Sequence, residues 1–156
     1  MKSKSFPIDK HHIRPLPERL INKIAAGEVI ERPAAVLKEL VENSLDAGAT
    51  RIDIEVEKSG TKLISIIDNG CGIKADQIEI AFSRHATSKI SDFNDLENLR
   101  SFGFRGEALP SIASISRTRM ISRTADAEIG MEIIVEGGVV QNLKPIAASI
   151  GARVEV

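Results

Sequence analysis

Residues 38–48 read Lys38-Glu39-Leu40-Val41-Glu42-Asn43-Ser44-Leu45-Asp46-Ala47-Gly48. At helical periodicity Val36, Leu37, Leu40, Val41 and Ser44 share one side, and Glu39, Glu42, Asn43 and Asp46 share the other. Pro33 suits the first turn, where its missing N–H costs nothing. Gly48 suits a left-handed cap. The spacing therefore predicts a helix from Pro33 to about Ala47. Glu39 and Asn43 lie one turn apart and project side by side. An amide oxygen can ligate Mg²⁺, which keeps several of its waters. A neighbouring carboxylate can orient a water towards a phosphate held by that metal. The same pattern is also that of a helix whose polar side simply faces water.

Downstream, residues 51–58 alternate Ile52, Ile54 and Val56 with charged residues, the period-2 pattern of a half-buried strand. Ser59-Gly60 marks a turn, and residues 62–67 form a second strand of the same hairpin. Asp68-Asn69-Gly70-Cys71-Gly72 follows. A strand end fixes the Asp68 carboxylate, which can accept a hydrogen bond from an exocyclic amine such as that of adenine. The glycines allow positive φ and close approach of a ligand to the backbone. Asp-Asn-Gly is equally ordinary turn chemistry. A short helix is expected from about Lys74.

Upstream, residues 16–29 have the pattern of a short amphipathic helix through Leu20, Ile24 and Ala25. Residues 1–13 read as a flexible arm without the apolar segment of a secretory signal. Residues 82–109 are polar and glycine-containing, the character of a functional loop region. Arg84-His85-Ala86-Thr87-Ser88-Lys89 brings together hydroxyls and cations that suit phosphate oxygens, or a polar surface loop. His85 is more readily structural or near a phosphate than catalytic. In Ser101-Phe102-Gly103-Phe104-Arg105-Gly106-Glu107-Ala108-Leu109 two glycines bracket Phe-Arg before a helix expected over 107–115. Helix N-termini bind anions, and flexible glycines suit a lid. Neither a Walker loop nor a dinucleotide-binding glycine pattern is present. Strands are expected at 117–123, 130–136, 139–144 and 153–156, with Gly137-Gly138 turning a hairpin. Helices, hairpin, loops with a helix, then strands is the order of an α+β two-layer sandwich.

The bulk composition narrows the function. At 156 residues the chain is one domain's worth, and its net charge of −1 gives no basic nucleic-acid footprint. With no Trp or Tyr and five Phe, an aromatic base-stacking surface is not expected. Cys71 stands alone, which rules out an internal disulfide and disfavours a cysteine zinc site. No apolar run reaches the roughly 18 residues of a membrane span.

In their order, Glu-x-x-x-Asn, Asp-x-Gly-x-Gly and Gly-Phe-Arg-Gly-Glu-Ala-Leu resemble the ATPase superfamily of gyrase, heat-shock chaperones, histidine kinases and MutL. Within it the residues 24–34, 41–49 and 84–89 look like the MutL family of DNA mismatch-repair ATPases. The resemblance covers residues 14–156. It implies a Bergerat-type ATP-binding fold, a two-layer α/β sandwich with a left-handed crossover. It implies Glu39 as general base, Asn43 as Mg²⁺ ligand, Asp68 as adenine-binding carboxylate and Gly72 as the close backbone approach beside it. Thr87, Ser88 and Lys89, with Gly103, Phe104, Arg105, Gly106, Glu107, Ala108 and Leu109, match the phosphate-binding lid. ATP and Mg²⁺ are the implied cofactors. The implied setting is cytoplasmic DNA repair, with ATP-driven homodimerisation and recruitment of the mismatch-recognition protein MutS and a downstream nuclease or helicase. DNA would be bound weakly, through regions mostly outside this chain.

Two departures stand out. The family usually has Gly-Thr near Gly151, the threonine hydroxyl assisting adenine binding, whereas Ala152 follows here. The family's ATPase region is also longer: a second subdomain supplies a lysine to the γ-phosphate and a far C-terminal region dimerises. Residues 14–156 would then be the ATP-binding subdomain, truncated before the second. Three readings follow: an ATPase, a nucleotide-binding switch module without turnover of its own, and a plain nucleic-acid-binding domain, which the charge and lack of aromatics disfavour. The kinase branch of the superfamily is disfavoured too, because no acceptor-helix pattern is found.

Overall fold

A computed structural model describes residues 15–17, 20, 32–83 and 108–156. Among them are two helices, α1 (Pro33–Asp46) and α2 (Ala108–Ile115), and six strands. The strands are β1 (Ile52–Glu57), β2 (Leu63–Asp68), β3 (Arg117–Arg123), β4 (Gly130–Glu136), β5 (Val139–Ile146) and β6 (Gly151–Glu155). They form one sheet in the order β1-β2-β6-β3-β4-β5, and every neighbouring pair is antiparallel. This is the α+β arrangement expected from the order of elements. The hairpin β1–β2 and the meander β3–β4–β5 are local products of the chain. They become one sheet because β6, the last strand, inserts between β2 and β3.

The local signals act as expected at most places. Helix α1 begins with Pro33 in its first turn and ends on a left-handed glycine. Gly48 N–H donates to the Leu45 carbonyl (3.0 Å) and Ala49 N–H to that of Ser44 (3.1 Å), so two end carbonyls of the helix are satisfied. Gly137 and Gly138 both have positive φ (57° and 81°) and turn β4 into β5. β3 and β4 occupy the expected ranges, β5 extends to Ile146 and β6 starts at Gly151. The helix expected from Lys74 is not formed. Turns cover residues 75–79 and a 3₁₀ segment covers Ile80–Phe82. Gln77 N–H donates to the Lys74 carbonyl and Phe82 N–H to that of Glu79. These are the tighter three-residue bonds used in short segments, and this one is anchored by the fully buried Ile78. The expected helix over 16–29 lies outside the described residues except for Leu16, Pro17 and Leu20.

Alternation assigns each strand two faces. Toward the helices point Ile64 and Ile66 of β2, Met120 of β3, Ile133 and Val135 of β4 and Val154 of β6, which form the core with Val36 and Leu40 of α1, Ile112 and Ala113 of α2, and Ile78. On β1 the expected half-burial is incomplete, since Ile54 and Val56 are exposed on this edge strand. The opposite face mixes charged residues with the half-buried Ile121 and Ile134. There Glu132 is buried and held by Arg119, whose Nε donates to its Oε2 at 2.7 Å. Arg119 also reaches Glu155 at 3.2 Å, and Lys144 lies 3.5 Å from Glu132. Each charge on the cross-strand ladder thus has an opposite neighbour.

Burial works to raise the Glu132 carboxyl pKa, but the hydrogen bond and charge of Arg119, with Lys144, outweigh it and hold it below the ordinary value. Its ionised form therefore stabilises the fold above pH 4.5, the ordinary value, and this contribution fades as pH falls through the lowered pKa. Glu132→Gln is expected to cost about 2 kcal/mol at pH 7. The deficit should shrink steadily below pH 4.5 when denaturation is followed against pH; a deficit unchanged down to acid pH would contradict the assignment.

Candidate functional site

Three strand ends and one helix end meet at one edge of the sheet. Asp68, the last residue of β2, lies opposite Ala152 of β6, which in turn lies opposite Ser122 of β3. The C-terminal end of α1 sits over the same place. Ser44 Oγ donates to Asp68 Oδ2 at 2.7 Å. The other carboxylate oxygen, Oδ1, accepts the N–H of Gly70 (2.9 Å) and that of Ala152 (3.3 Å). The carboxylate is thus fixed in position and in rotation.

The segment after Asp68 is secured residue by residue. Asn69 Oδ1 accepts the N–H groups of Thr50 and Arg51, both at 2.9 Å, and its amide donates to Thr50 Oγ1. Cys71 N–H donates to the Ala47 carbonyl (2.9 Å), at the end of α1, where carbonyls lack helical partners. The buried Ser122 hydroxyl accepts Ile73 N–H and donates to the Gly151 carbonyl, both at 2.8 Å. Two glycines are required by contact with the chain itself. A Cβ on Gly72, whose φ is +72°, would stand 2.2 Å from the Arg123 carbonyl oxygen. A Cβ on Gly151, at φ +118°, would stand 2.0 Å from the carbonyl oxygen of Asp68. At Gly72 the chain's own β3 is thus one reason for a glycine.

On α1 the polar side is only partly exposed. Glu39, Glu42, Asn43 and Asp46 are all half-buried, and only Ala34, Lys38 and Leu45 of the helix are exposed. Glu42 is paired with the exposed Lys38 at 3.6 Å, an i,i+4 contact of little energetic weight. Glu39 forms no hydrogen bond or ion pair among the described residues. The bond from Ser44 to Asp68 joins the last turn of α1, which also carries Asn43, to the end of β2.

Among the described residues no three His, Cys, Asp or Glu side chains gather as a metal cage. The donor set instead suits Mg²⁺, which is usually held by one or two protein oxygens together with phosphates and waters. Of the expected lid, Thr87, Ser88, Lys89, Gly103, Phe104, Arg105, Gly106 and Glu107 lie outside the described residues. Ala108 and Leu109 open α2, and Leu109 packs against the core, so its side chain serves the fold. The sequence reading missed Ser44, Asn69 and Ser122. A hydroxyl on the apolar stripe of α1 was the available signal, because a buried hydroxyl needs a partner.

Comparison with known proteins covers most of the chain. A sequence profile of histidine kinase-, DNA gyrase B- and HSP90-like ATPases matches residues 31–145. The DNA mismatch repair protein MutL of Xanthomonas oryzae pv. oryzae is 60% identical over 92% of this chain and 23% of its own length. That of Escherichia coli O1:K1 / APEC is 57% identical over 92% and 24%. The chain thus spans about a quarter of the length of these relatives. Among solved structures, the Aquifex aeolicus MutL ATPase domain complexed with ADP superposes with a TM-score of 0.60 at 35% identity, over 78% of this chain and 40% of that one. The N-terminal domain of a DNA repair protein gives 0.69 at 30% identity, over 87% and 38%.

Two glycine substitutions separate backbone strain from steric conflict. Gly48 has φ +73° and open space where a Cβ would stand, with nothing within 4 Å, whereas Gly72 has nearly the same φ and a carbonyl in the way. Gly48→Ala is expected to cost about 1 kcal/mol, and Gly72→Ala more than about 3 kcal/mol, in chemical denaturation. Equal costs would show that the Arg123 contact yields freely.

Proposed function

The chain belongs to the histidine kinase-, DNA gyrase B- and HSP90-like ATPases, and from that membership we propose that residues 14–156 form the Mg-ATP-binding subdomain of a longer mismatch-repair ATPase. The observation that carries the proposal is the Asp68 carboxylate, locked by Ser44, Gly70 and Ala152 beside a half-buried helix face bearing Glu39 and Asn43. The two-layer α/β sandwich with its antiparallel sheet is the fold of this ATPase group. The similarity to a MutL ATPase domain that holds ADP supports a nucleotide as ligand.

In this reading Asp68 accepts a hydrogen bond from the exocyclic amine of adenine. Asn43 would hold Mg²⁺ through its amide oxygen, and the ion would neutralise charge on the phosphates. Glu39, unpaired among the described residues, orients a water for attack and takes its proton. The backbone of Gly72 borders the base. Thr87, Ser88, Lys89 and residues 103–109 hold the phosphates, the last two through the N-terminal N–H groups of α2. In the whole protein, ATP binding would close this site and drive homodimerisation, and hydrolysis would reset it. Recruitment of MutS and of a nuclease or helicase, weak DNA binding and a cytoplasmic setting belong to the same proposal. Among the described residues no helix is long and apolar enough to cross a membrane.

Calorimetric titration of the chain with ATP, with and without Mg²⁺, tests the reading directly. Wild type is expected to bind more tightly with Mg²⁺, and Asn43→Ala should lose that difference. Where turnover is measurable, Glu39→Ala should abolish it and leave ATP affinity within about twofold, since only a transition-state interaction is removed. Collapse of affinity along with turnover would overturn the assigned role. Ala152→Thr places a hydroxyl beside the Asp68 carboxylate and should tighten ATP binding about threefold; an unchanged affinity would mean that the base does not lie against β6.

A further inference from the structure

We propose that Ser44 is a positioning residue for base recognition: it leaves the Asp68 carboxylate a single open acceptor position and thereby sets the preference for a base bearing an amine over one bearing a carbonyl. The inference rests on the reading of Asp68 as the base-binding group. It goes further in assigning the discrimination to a side chain that touches no part of the ligand.

A carboxylate has about four lone-pair positions. Among the described residues, Asp68 receives three donors. Gly70 N–H and Ala152 N–H occupy Oδ1, at 2.9 and 3.3 Å, and the Ser44 hydroxyl occupies one position on Oδ2, at 2.7 Å. The remaining position is on Oδ2. The three donors come from separate elements: the loop after β2, the start of β6 and the last turn of α1. Rotating the carboxyl to present a different edge would break bonds to all three. The Ser44 hydroxyl is itself buried, with the residue only 3% exposed, so water has little access to replace it.

Such a carboxylate is preorganised for one N–H donor. A base with an exocyclic amine at the matching position donates into the open lone pair. A base with a carbonyl oxygen there sets two acceptors against each other, and the carboxylate has no rotation with which to relieve the clash. Without the hydroxyl, Oδ2 would lose its one fixed donor, and the carboxylate could tilt about the two bonds that remain on Oδ1. The amine would then gain less and the carbonyl would be rejected less.

The experiment compares ATP with inosine triphosphate, which carries a carbonyl in place of the amine, by calorimetry on wild type, Ser44→Ala and Ser44→Thr. Thermal denaturation accompanies each variant to show that it is folded. Wild type is expected to prefer ATP. Ser44→Ala should reduce the ratio of the two affinities about tenfold, and Ser44→Thr, which keeps the hydroxyl, should restore most of it. If Ser44→Ala weakens both nucleotides equally, or if a folded Ser44→Ala keeps the full ratio, Ser44 has only a structural role and the inference is overturned. If Ser44→Ala does not fold, Ser44→Thr decides: a folded threonine variant with a lost preference overturns the inference, and a retained one upholds it. If wild type itself does not distinguish the two nucleotides, the reading of Asp68 fails, a result separate from either outcome for Ser44.

Discussion

β6 must pass the backbone of Asp68 so closely that no side chain fits at Gly151: a Cβ there would lie 2.0 Å from the Asp68 carbonyl oxygen. That contact holds the two halves of the sheet in register, because β6 is the strand that pairs with both β2 and β3. It also places the Ala152 N–H at the Asp68 carboxylate and the Gly151 carbonyl at the Ser122 hydroxyl. The same approach that closes the sheet therefore builds the floor of the candidate site. Neither could be obtained without the other.

The two faces of the sheet solve different problems. The helix-facing side gathers the apolar side chains into the core. The other side has no hydrophobic cover among the described residues and is stabilised through a ladder of opposite charges around Arg119, Glu132 and Glu155. The polar groups of the candidate site lie where the apolar face runs out, at the strand ends and at the C-terminal turn of α1. A polar residue at such a border can be half-buried without sitting in a hydrocarbon environment, which suits groups that must remain available to a charged ligand.

What was legible in the sequence follows the range of the forces involved. α1 is announced by Pro33, by its apolar stripe and by Gly48, all within one short stretch of chain, and β3 and β4 by unbroken alternation. The central position of β6 is not written in any local pattern, because it is decided by pairing with strands that are distant in sequence. The tight turns at residues 75–79 escape for a related reason: anchoring one buried Ile78 governs the segment more than its helical propensity. In the site, Asp68, Glu39 and Asn43 stand out from residue type and spacing together with a family resemblance. Ser44 falls on the apolar stripe, and only the structure shows why a hydroxyl belongs there. Glu39 and Glu42 look alike on the helix, yet Lys38 occupies one and leaves the other. The glycine pattern around Gly72 stands out in the sequence, but the Arg123 carbonyl that forbids a side chain there comes from a strand distant in sequence.

The density of bonds around Asp68 changes how any measurement on this site must be interpreted. Ser44, Asn69, Gly72, Ser122 and Gly151 each fix the loop and, through it, the carboxylate. Substituting one of them alters stability and the geometry of the candidate site at once, so a weaker affinity is no evidence of a lost contact with ligand. For these five residues, contacts are separated from scaffolding through a ratio. A ligand pair that differs at one atom shares the entire cost of a loosened loop, and that cost cancels between them. Discrimination between related ligands is therefore the property through which the local chemistry of Asp68 can be read, whereas absolute affinity reports on the whole edge of the sheet.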